Sequence, residues 1–324
     1  MRLTMVQAIN DALRTAMRAD SRVLVMGEDV GRNGGVFRAT EGLIDEFGED
    51  RAIDTPLAES GIVGTAIGMA AYGLKPVAEI QFMGFLYPAF DQLASQAARL
   101  RFRSMGRYAC PLVVRTPYGG NVRSPELHSD TLESLCVHSA GLKVVTPSDP
   151  YDAKGLLLAA IEDPDPVLFA EPLRLYRSVR EEVPEGHYVV PLGKAKTVRE
   201  GSDVTVIAWG SLVPGALKAA TEAQEEGISC EVIDLRTLSP FDADALVASV
   251  ERTHRAVVCQ EAPRTAGLGA EIAATLQERA ILSLEGPIVR VTGYDTPFPL
   301  PVVERSYVPS ATRILAGIEQ AVGF

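Results

Sequence analysis

Short, uninterrupted runs of apolar residues alternate with helix-like segments along the whole chain. Examples are RVLVM at residues 22–26, PVAEI at 76–80 and LVVRT at 112–116. Strands that are apolar without alternation are typical of parallel sheets covered by helices on both faces, whereas half-exposed strands alternate polar and apolar residues. The pattern therefore predicts an α/β fold in which helices connect parallel strands.

We expect two parallel-sheet α/β domains, since 324 residues are enough for two domains of ordinary size. The first covers residues 1–177. A polar, broken stretch then predicts a linker over residues 178–203, and a second, smaller domain follows over residues 204–324. In the first domain, helices are predicted at residues 6–17, 60–72 and 87–104, and another opens at Asp149-Pro150, a cap residue followed by proline.

The charge and hydropathy of the chain disfavour some partners. A net charge of -11 argues against nucleic acids and anionic membranes, because both reward an excess of Lys and Arg. Residues 1–4 lead into an amphipathic helix rather than a signal peptide. The longest apolar run, residues 62–74, is too short to span a bilayer. We therefore expect a cytoplasmic protein with no nucleic-acid and no membrane partner.

Cysteine and histidine residues indicate no metal site. The four cysteines have no metal or redox spacing, so we expect reduced and mostly buried thiols. The four histidines form no ligand pair at helical spacing, which disfavours a zinc site.

Three polar side chains follow predicted strands and are candidates for chemistry. Glu59 follows the strand ending at Asp54, Gln81 follows PVAEI, and His128 lies in the loop after LVVRT. Ligands of open parallel sheets bind beyond the carboxyl ends of the strands. A carboxylate, an amide and an imidazole on one rim would suit a planar heterocycle and proton transfer.

Each candidate also has a structural interpretation, and the residues alone leave both open. Glu59 could stabilise the N-terminus of its own helix, and His128 could be a loop residue bonded to backbone. The stretch from Asp130 to Glu133 resembles a capping box. The glycines of helix 60–72 indicate close helix packing, and Gly267-Leu268-Gly269 is only a partial dinucleotide-binding loop because its third glycine is missing.

A series of ordered motifs adds a resemblance to a known family. The motifs are GEDVG, GGVFRAT, DTPLAESG, AEIQFMGF, TPYGG, PELHSD, KVVTPSDPYDAKGLL, DPVLFAEP and VIDLRTLSPFD. Together they resemble the β subunit of thiamine-diphosphate-dependent 2-oxo acid dehydrogenases of the heterotetrameric type, closest to the bacterial branched-chain enzyme. The resemblance implies a transketolase-like pyrimidine-binding domain followed by a transketolase C-terminal-like domain. It also implies oxidative decarboxylation of branched-chain 2-oxo acids, such as 3-methyl-2-oxobutanoate, with reductive acylation of a lipoyl group; pyruvate is the alternative substrate.

The resemblance assigns roles to the candidate residues. It implies that the Glu59 carboxylate hydrogen-bonds the aminopyrimidine ring of thiamine diphosphate and that Leu57, Gln81 and Phe85 line the pocket. Many relatives have tyrosine in place of Phe85, so any role of a hydroxyl there is absent or lies elsewhere. His128 would assist proton transfer or passage of the acyl group to the lipoyl arm. An implied potassium site comprises Leu112, Ala160, Ile161, Asp163 and Asp165, the last replacing a common asparagine.

The resemblance further implies that this chain holds only half of the cofactor. Thiamine-diphosphate enzymes bind Mg²⁺ and the diphosphate through a Gly-Asp-Gly motif, and the sequence contains none. A separate α subunit would then hold Mg²⁺ within an α₂β₂ heterotetramer, and the C-terminal domain would dock the lipoyl acyltransferase core. Two alternatives stay open: a self-sufficient transketolase-like enzyme, and a nucleotide- or flavin-binding electron-transfer subunit.

Overall fold

A computed structural model describes all 324 residues, which group into two compact units. The first unit comprises Met1–Tyr118 and Leu135–Leu192, and the second comprises Gly119–Ser134 and Gly193–Phe324. The boundary at Leu192 lies inside the segment predicted as a linker. A segment of 16 residues from the first half of the sequence therefore belongs, by its contacts, to the second unit.

The first unit is built on a parallel sheet. Its strands are β1 (Arg2–Thr4), β2 (Val23–Gly27), β3 (Ala52–Asp54), β4 (Lys75–Glu79), β5 (Val113–Tyr118), β6 (Lys143–Val145), β7 (Val167–Pro172) and β8 (Arg180–Glu182). Within this unit the strands of the sheet lie in the order β6-β7-β5-β4-β2-β3, and all neighbouring strands are parallel. β1 and β8 form a separate antiparallel pair. Every residue of β2, β5 and β7 is buried, as uninterrupted apolar strands predict.

Helices cover this sheet. They are α1 (Met5–Ala19), α2 (Leu43–Phe47), α3 (Glu59–Ala71), α4 (Leu100–Arg103), α5 (Glu133–Val137, which begins in the second unit) and α6 (Pro150–Glu162). α1 packs against α6 and buries an apolar stripe that includes Ile9 and Leu13. The predicted start of α6 is confirmed, since the Asp149 carboxylate accepts the Asp152 N–H at 2.6 Å and Pro150 is the first helical residue.

Two predictions of local structure are wrong. The continuous helix expected at residues 87–104 is a 3₁₀ segment over Met83–Ala89, a π-helical segment over Gln92–Ala97 and the short α4. Pro88 lies inside the 3₁₀ segment, and its lack of an N–H prevents a regular α-helical ladder there. The capping box is also absent, because α5 begins at Glu133 and neither carboxylate oxygen of Glu133 has a hydrogen-bond partner.

The second unit repeats the βα pattern. Its strands are β9 (Lys196–Arg199), β10 (Val204–Ala208), β11 (Cys230–Asp234), β12 (Thr237–Ser239), β13 (Ala256–Pro263) and β14 (Val289–Gly293). Its helices are α7 (Val213–Glu225), α8 (Ala243–Thr253), α9 (Leu268–Ala280), α10 (Glu304–Tyr307) and α11 (Ala311–Val322). The sheet order is β14-β13-β10-β11-β9, parallel except for the antiparallel edge strand β9. α7 and α11 cover one face and enclose an apolar core.

The cysteines and the helices can be compared with what the composition predicted. All four cysteines are buried, as predicted, and none of them forms a disulfide. Of the helices described above, none combines the length and apolar character needed to cross a membrane.

Candidate functional site

Three parallel strands of the first unit end at the same level. Gly27 at the end of β2 is paired in register with both Asp54 of β3 and Glu79 of β4. The loops that follow these strands therefore all start at the same edge of the sheet, because the carboxyl ends of parallel strands share one edge. We call this edge, with the loops after β2, β3 and β4, the rim. Glu28, Glu59 and Gln81 all lie in or directly after these loops.

Asp54 fixes the glycine-rich loop that follows β2. Its carboxylate accepts the backbone N–H groups of Gly31 at 2.6 Å and Arg32 at 3.0 Å. A Cβ atom at position 31 would lie 2.9 Å from the Asp54 carboxyl carbon, so the close approach requires glycine there. The Thr55 N–H also donates to the Gly27 carbonyl at 3.0 Å. These contacts give the rim a defined backbone geometry.

Glu59 is the first residue of α3 and is half-buried. Its charge acts on Glu28, a residue to which the sequence assigned no role. Burial, together with the carboxylates of Asp29 and Glu59, raises the pKa of Glu28 above its ordinary value. The Gln81 side-chain amide donates to the Glu28 carbonyl at 3.5 Å, which brings Glu28, Glu59 and Gln81 onto one rim. The signal in the sequence was the GEDVG loop directly after a buried strand.

A row of aromatic rings supports Phe85 beside this rim. Phe85 lies in the 3₁₀ segment and meets Phe82 edge to face, with ring centroids 5.5 Å apart. Phe82 meets Phe37 at 5.4 Å, and Phe37 meets the buried Tyr176 at 5.7 Å, both also edge to face. Such pairs restrict the orientation of each ring. Phe85 is therefore held by a row that ends in the core.

The rim has the chemistry of a site for a flat, amphipathic ligand. Leu57 is a large apolar side chain that is 70% exposed, and the hydroxyl of Thr55 is buried without a hydrogen-bond partner. A buried hydroxyl without a partner is unfavourable in the free chain and indicates a group that is satisfied from outside. The residues of the rim therefore fit the aminopyrimidine half of a thiamine cofactor.

Below the rim, an ionic cluster joins three strands. The Arg115 guanidinium donates to Glu171 at 2.7 and 2.9 Å and to Glu79 at 2.8 Å, and the Tyr176 hydroxyl also donates to Glu171. All four side chains are at most 4% exposed. The paired geometry is what allows charges to be buried in a sheet centre. In the sequence, the cluster corresponds to one charged residue in each of three apolar strands: Glu79, Arg115 and Glu171.

His128 belongs to the second unit, whereas Glu59, Gln81 and Phe85 belong to the first. The imidazole is half-buried, and its Nδ1 lies 2.8 Å from the Glu126 carbonyl oxygen. Because a carbonyl only accepts, Nδ1 carries the proton, and in the neutral ring Nε2 is the basic nitrogen. This tautomer suits a group that accepts a proton through Nε2.

The residues of the predicted potassium site lie around the end of α6. Pro164 has no N–H, so the Ala160 carbonyl loses its usual helical donor, and the Asp165 N–H donates to the Asp163 carboxylate at 2.9 Å instead of to the Ile161 carbonyl. Two carbonyls thus receive no helical hydrogen bond. The Asp163 and Asp165 carboxylates are engaged by Lys143 and Arg101. The Leu112 carbonyl accepts the Val167 N–H at 2.9 Å and retains one lone pair.

The glycine loop before α9 is occupied by the protein itself. The Gly269 N–H donates to the Gln260 side-chain oxygen at 2.7 Å, and a Cβ at Gly267 would lie 2.0 Å from the Gln260 amide nitrogen. Gln260 therefore fills the space that a phosphate would need at this helix N-terminus. This arrangement disfavours the dinucleotide interpretation.

Two family models together match most of the chain. One, described as the transketolase pyrimidine-binding domain, matches residues 1–179, and the other, the transketolase C-terminal domain, matches residues 193–314. A solved structure titled "Split gene transketolase, inactive beta4 tetramer" is similar in fold, with a TM-score of 0.82 at 22% identity over 99% of this chain and 98% of that chain. The predicted transketolase-like fold is confirmed.

Curated relatives are similar over nearly their whole length. The chain is 58% identical over 319 residues to the "Pyruvate dehydrogenase E1 component subunit beta" of Staphylococcus epidermidis, covering 98% of this chain and 97% of the relative. It is 54% identical over 322 residues to the protein of the same description from Bacillus subtilis, covering 99% of each. The Staphylococcus aureus protein of that description is 55% identical over 322 residues, again covering 99% of each.

Proposed function

This chain belongs to the family of β subunits of thiamine-diphosphate-dependent 2-oxo acid dehydrogenases, and we propose that it serves in the decarboxylase component of a pyruvate dehydrogenase. The proposal that pyruvate is the substrate rests on one observation: the relatives at 54–58% identity share a description that names pyruvate dehydrogenase. The sequence motifs had ranked branched-chain 2-oxo acids first, and the comparisons favour the alternative. The reaction is oxidative decarboxylation with transfer of the acyl group to a lipoyl arm.

We assign the rim to the aminopyrimidine end of thiamine diphosphate. When bound, the cofactor supplies an electron sink for decarboxylation. The Glu59 carboxylate would accept a hydrogen bond from the aminopyrimidine ring, and Leu57, Gln81 and Phe85 would line the pocket that holds it. Burial and the carboxylates of Asp29 and Glu59 raise the pKa of Glu28, so this part of the rim disfavours further negative charge. His128 accepts or delivers a proton through Nε2 during acyl transfer.

An α subunit completes the site in this proposal. It would hold Mg²⁺ and the diphosphate, for which this sequence has no Gly-Asp-Gly motif. Along α3, a Cβ at Gly68 would meet nothing within 4 Å and one at Gly61 only the Ala58 Cβ at 3.6 Å. The small residues of this helix thus have room for another helix within contact distance, which supports packing by a partner subunit. We further propose an α₂β₂ assembly that docks a lipoyl acyltransferase core.

A potassium ion stabilising the end of α6 is a further part of the proposal. Two carbonyls there, at Ala160 and Ile161, receive no helical hydrogen bond, and backbone carbonyls are the ligands that K⁺ accepts in proteins. The carboxylates of Asp163 and Asp165 are already paired with cationic side chains. Coordination would therefore come from carbonyls rather than from these carboxylates.

The decisive experiment is turnover by the chain reconstituted with a cognate α subunit, Mg²⁺, thiamine diphosphate and a lipoyl domain. We expect pyruvate to give a higher kcat/KM than 3-methyl-2-oxobutanoate; the reverse order would restore the branched-chain assignment. Full activity of this chain without an α subunit would refute the shared site.

The same assembly tests the role of Glu59. We expect Glu59→Gln to lower kcat by about 100-fold or more, the range of general acid–base contributions. The matched control is Glu271→Gln, which removes an exposed glutamate from the first turn of α9 and should leave turnover unchanged. If both variants keep wild-type turnover, Glu59 is only a helix-end charge.

A further inference from the structure

The segment that carries His128, residues 119–134, is an irregular loop up to the start of α5 and has an unfavourable backbone. Besides Gly119, three non-glycine residues adopt a left-handed conformation: Asn121 at φ 64°, Arg123 at φ 58° and Leu127 at φ 66°. Such conformations cost free energy in side-chain-bearing residues and persist only where the surroundings determine them. The contacts of the loop should therefore include groups that hold it in this form.

Two glutamates of the second unit make those contacts. Glu261, in β13, accepts the Gly120 N–H at 2.5 Å and the Ser211 hydroxyl at 2.6 Å. Glu304, at the start of α10, accepts the Val122 N–H at 3.0 Å and the Arg123 N–H at 3.1 Å. Both glutamates are at most 3% exposed.

The hydrogen bonds between the loop and these glutamates are strong, and the space around the loop is restricted. Backbone N–H groups that donate to an ionised carboxylate form short, charge-assisted hydrogen bonds, and burial strengthens them. Space is also restricted, because a Cβ at Gly119 would lie 3.1 Å from Glu261 and one at Gly120 would lie 2.2 Å from the Phe298 ring. Residues 119–123 of the loop are thus held in place by the carboxylates of Glu261 and Glu304 and by the ring of Phe298.

We infer that Glu261 and Glu304 are positioning residues for the reaction, because they fix the loop that presents His128. The inference rests on the proposed role of His128 in acyl transfer. It gives the second unit a part in the chemistry beyond assembly. The carboxylates act through the backbone of the loop and touch neither substrate nor cofactor.

The test uses the reconstituted α/β assembly and Glu304→Gln, which keeps the size of the side chain and removes its charge. We expect faster hydrogen exchange in the peptide spanning residues 119–134 and a rate of lipoyl acylation that is lower by about tenfold, the effect of one lost charge-assisted hydrogen bond. Decarboxylation measured with an artificial electron acceptor should fall less. The control Asp203→Asn alters a carboxylate that accepts the Ser229 N–H at 2.8 Å in the same unit and should change neither rate.

A double-mutant cycle separates positioning from a general structural role. In a His128→Ala background, Glu304→Gln should cause no further loss of lipoyl acylation; additive losses, or unchanged exchange in residues 119–134, would overturn the inference. Wild-type acylation by His128→Ala alone would instead remove the role of His128 in the proposed function. If Glu304→Gln fails to fold, Glu304→Asp, which keeps the charge and shortens its reach, must show the same split between the two rates.

Discussion

Replacing Glu133 by glutamine should remove a strong pH dependence from the stability of this protein. Glu133 is the first residue of α5, directly after the His128 loop, is 2% exposed, and accepts no hydrogen bond of regular geometry at either carboxylate oxygen. Burial, assisted by the nearby Glu261 carboxylate, raises the pKa of Glu133 from 4.5 to about 7. The folded protein therefore binds a proton that the unfolded chain releases near pH 4.5.

The sign and size of the effect follow from proton linkage. The stabilisation by the Glu133 proton is fully present below pH 4.5 and is lost as the pH rises through about 7. A shift of this size corresponds to about 3 kcal/mol in the free energy of unfolding, at 1.36 kcal/mol per pKa unit. Because glutamine stays neutral, the stability of Glu133→Gln relative to wild type should rise by that amount between pH 4.5 and pH 8.

Urea unfolding of the purified chain at fixed concentration, followed from pH 4.5 to pH 8, measures this difference. Titration of groups that do not interact with Glu133 cancels between the two proteins, so the difference reports Glu133 and its coupling to Glu261. Glu271→Gln, at an exposed position, is the control and should show no pH-dependent difference from wild type. A free-energy difference for Glu133→Gln that is the same at all pH values would refute the reasoning.

Three further predictions concern the first unit. Arg115→Met leaves Glu79 and Glu171 buried without their cation and should lower the free energy of unfolding by about 3–5 kcal/mol in urea denaturation; a loss below 1 kcal/mol would mean that the cluster is not ionised. Phe85→Ala should raise the thiamine diphosphate concentration needed for half-maximal activity of the assembly, whereas Phe85→Tyr should not; equal values for all three proteins would remove Phe85 from the pocket. KCl should raise the thermal unfolding midpoint above that in NaCl at equal ionic strength, and identical midpoints would contradict the potassium site at Ala160 and Ile161.

Local sequence predicted those parts of the fold that depend on local physics. Uninterrupted apolar runs identified the parallel strands, and Asp149-Pro150 identified the start of α6. Glu59 and Gln81 could be assigned to one edge because the carboxyl ends of parallel strands always share an edge. The Arg115 cluster could not be predicted, since its partners are 36 and 56 residues away.

The broken helix after β4 shows a different limit. Its apolar pattern is helical, but Pro88 and the π-helical turn of Gln92–Ala97 change the periodicity in ways that hydropathy does not reveal. The descriptions of the relatives favour pyruvate over the branched-chain 2-oxo acids that the motifs ranked first, and the motifs have a related limit. Motifs shared by the family describe how the cofactor is held, whereas discrimination between pyruvate and a branched chain depends on a few pocket atoms, some of which a partner subunit would supply.

The His128 loop belongs to one domain by its position in the sequence and to the other unit by its contacts. Residues 119–134 lie inside the span matched by the pyrimidine-binding domain, residues 1–179, yet their contacts are with the second unit. The hydrogen bonds that the loop N–H groups donate to Glu261 and Glu304 join residues 141 to 182 positions apart in the sequence. If Glu261 and Glu304 hold the loop as we infer, a substitution near β13 or α10 should reach His128 through their carboxylates. Losses of acyl transfer that spare decarboxylation should accordingly map to the second unit, while losses of both should map to the rim.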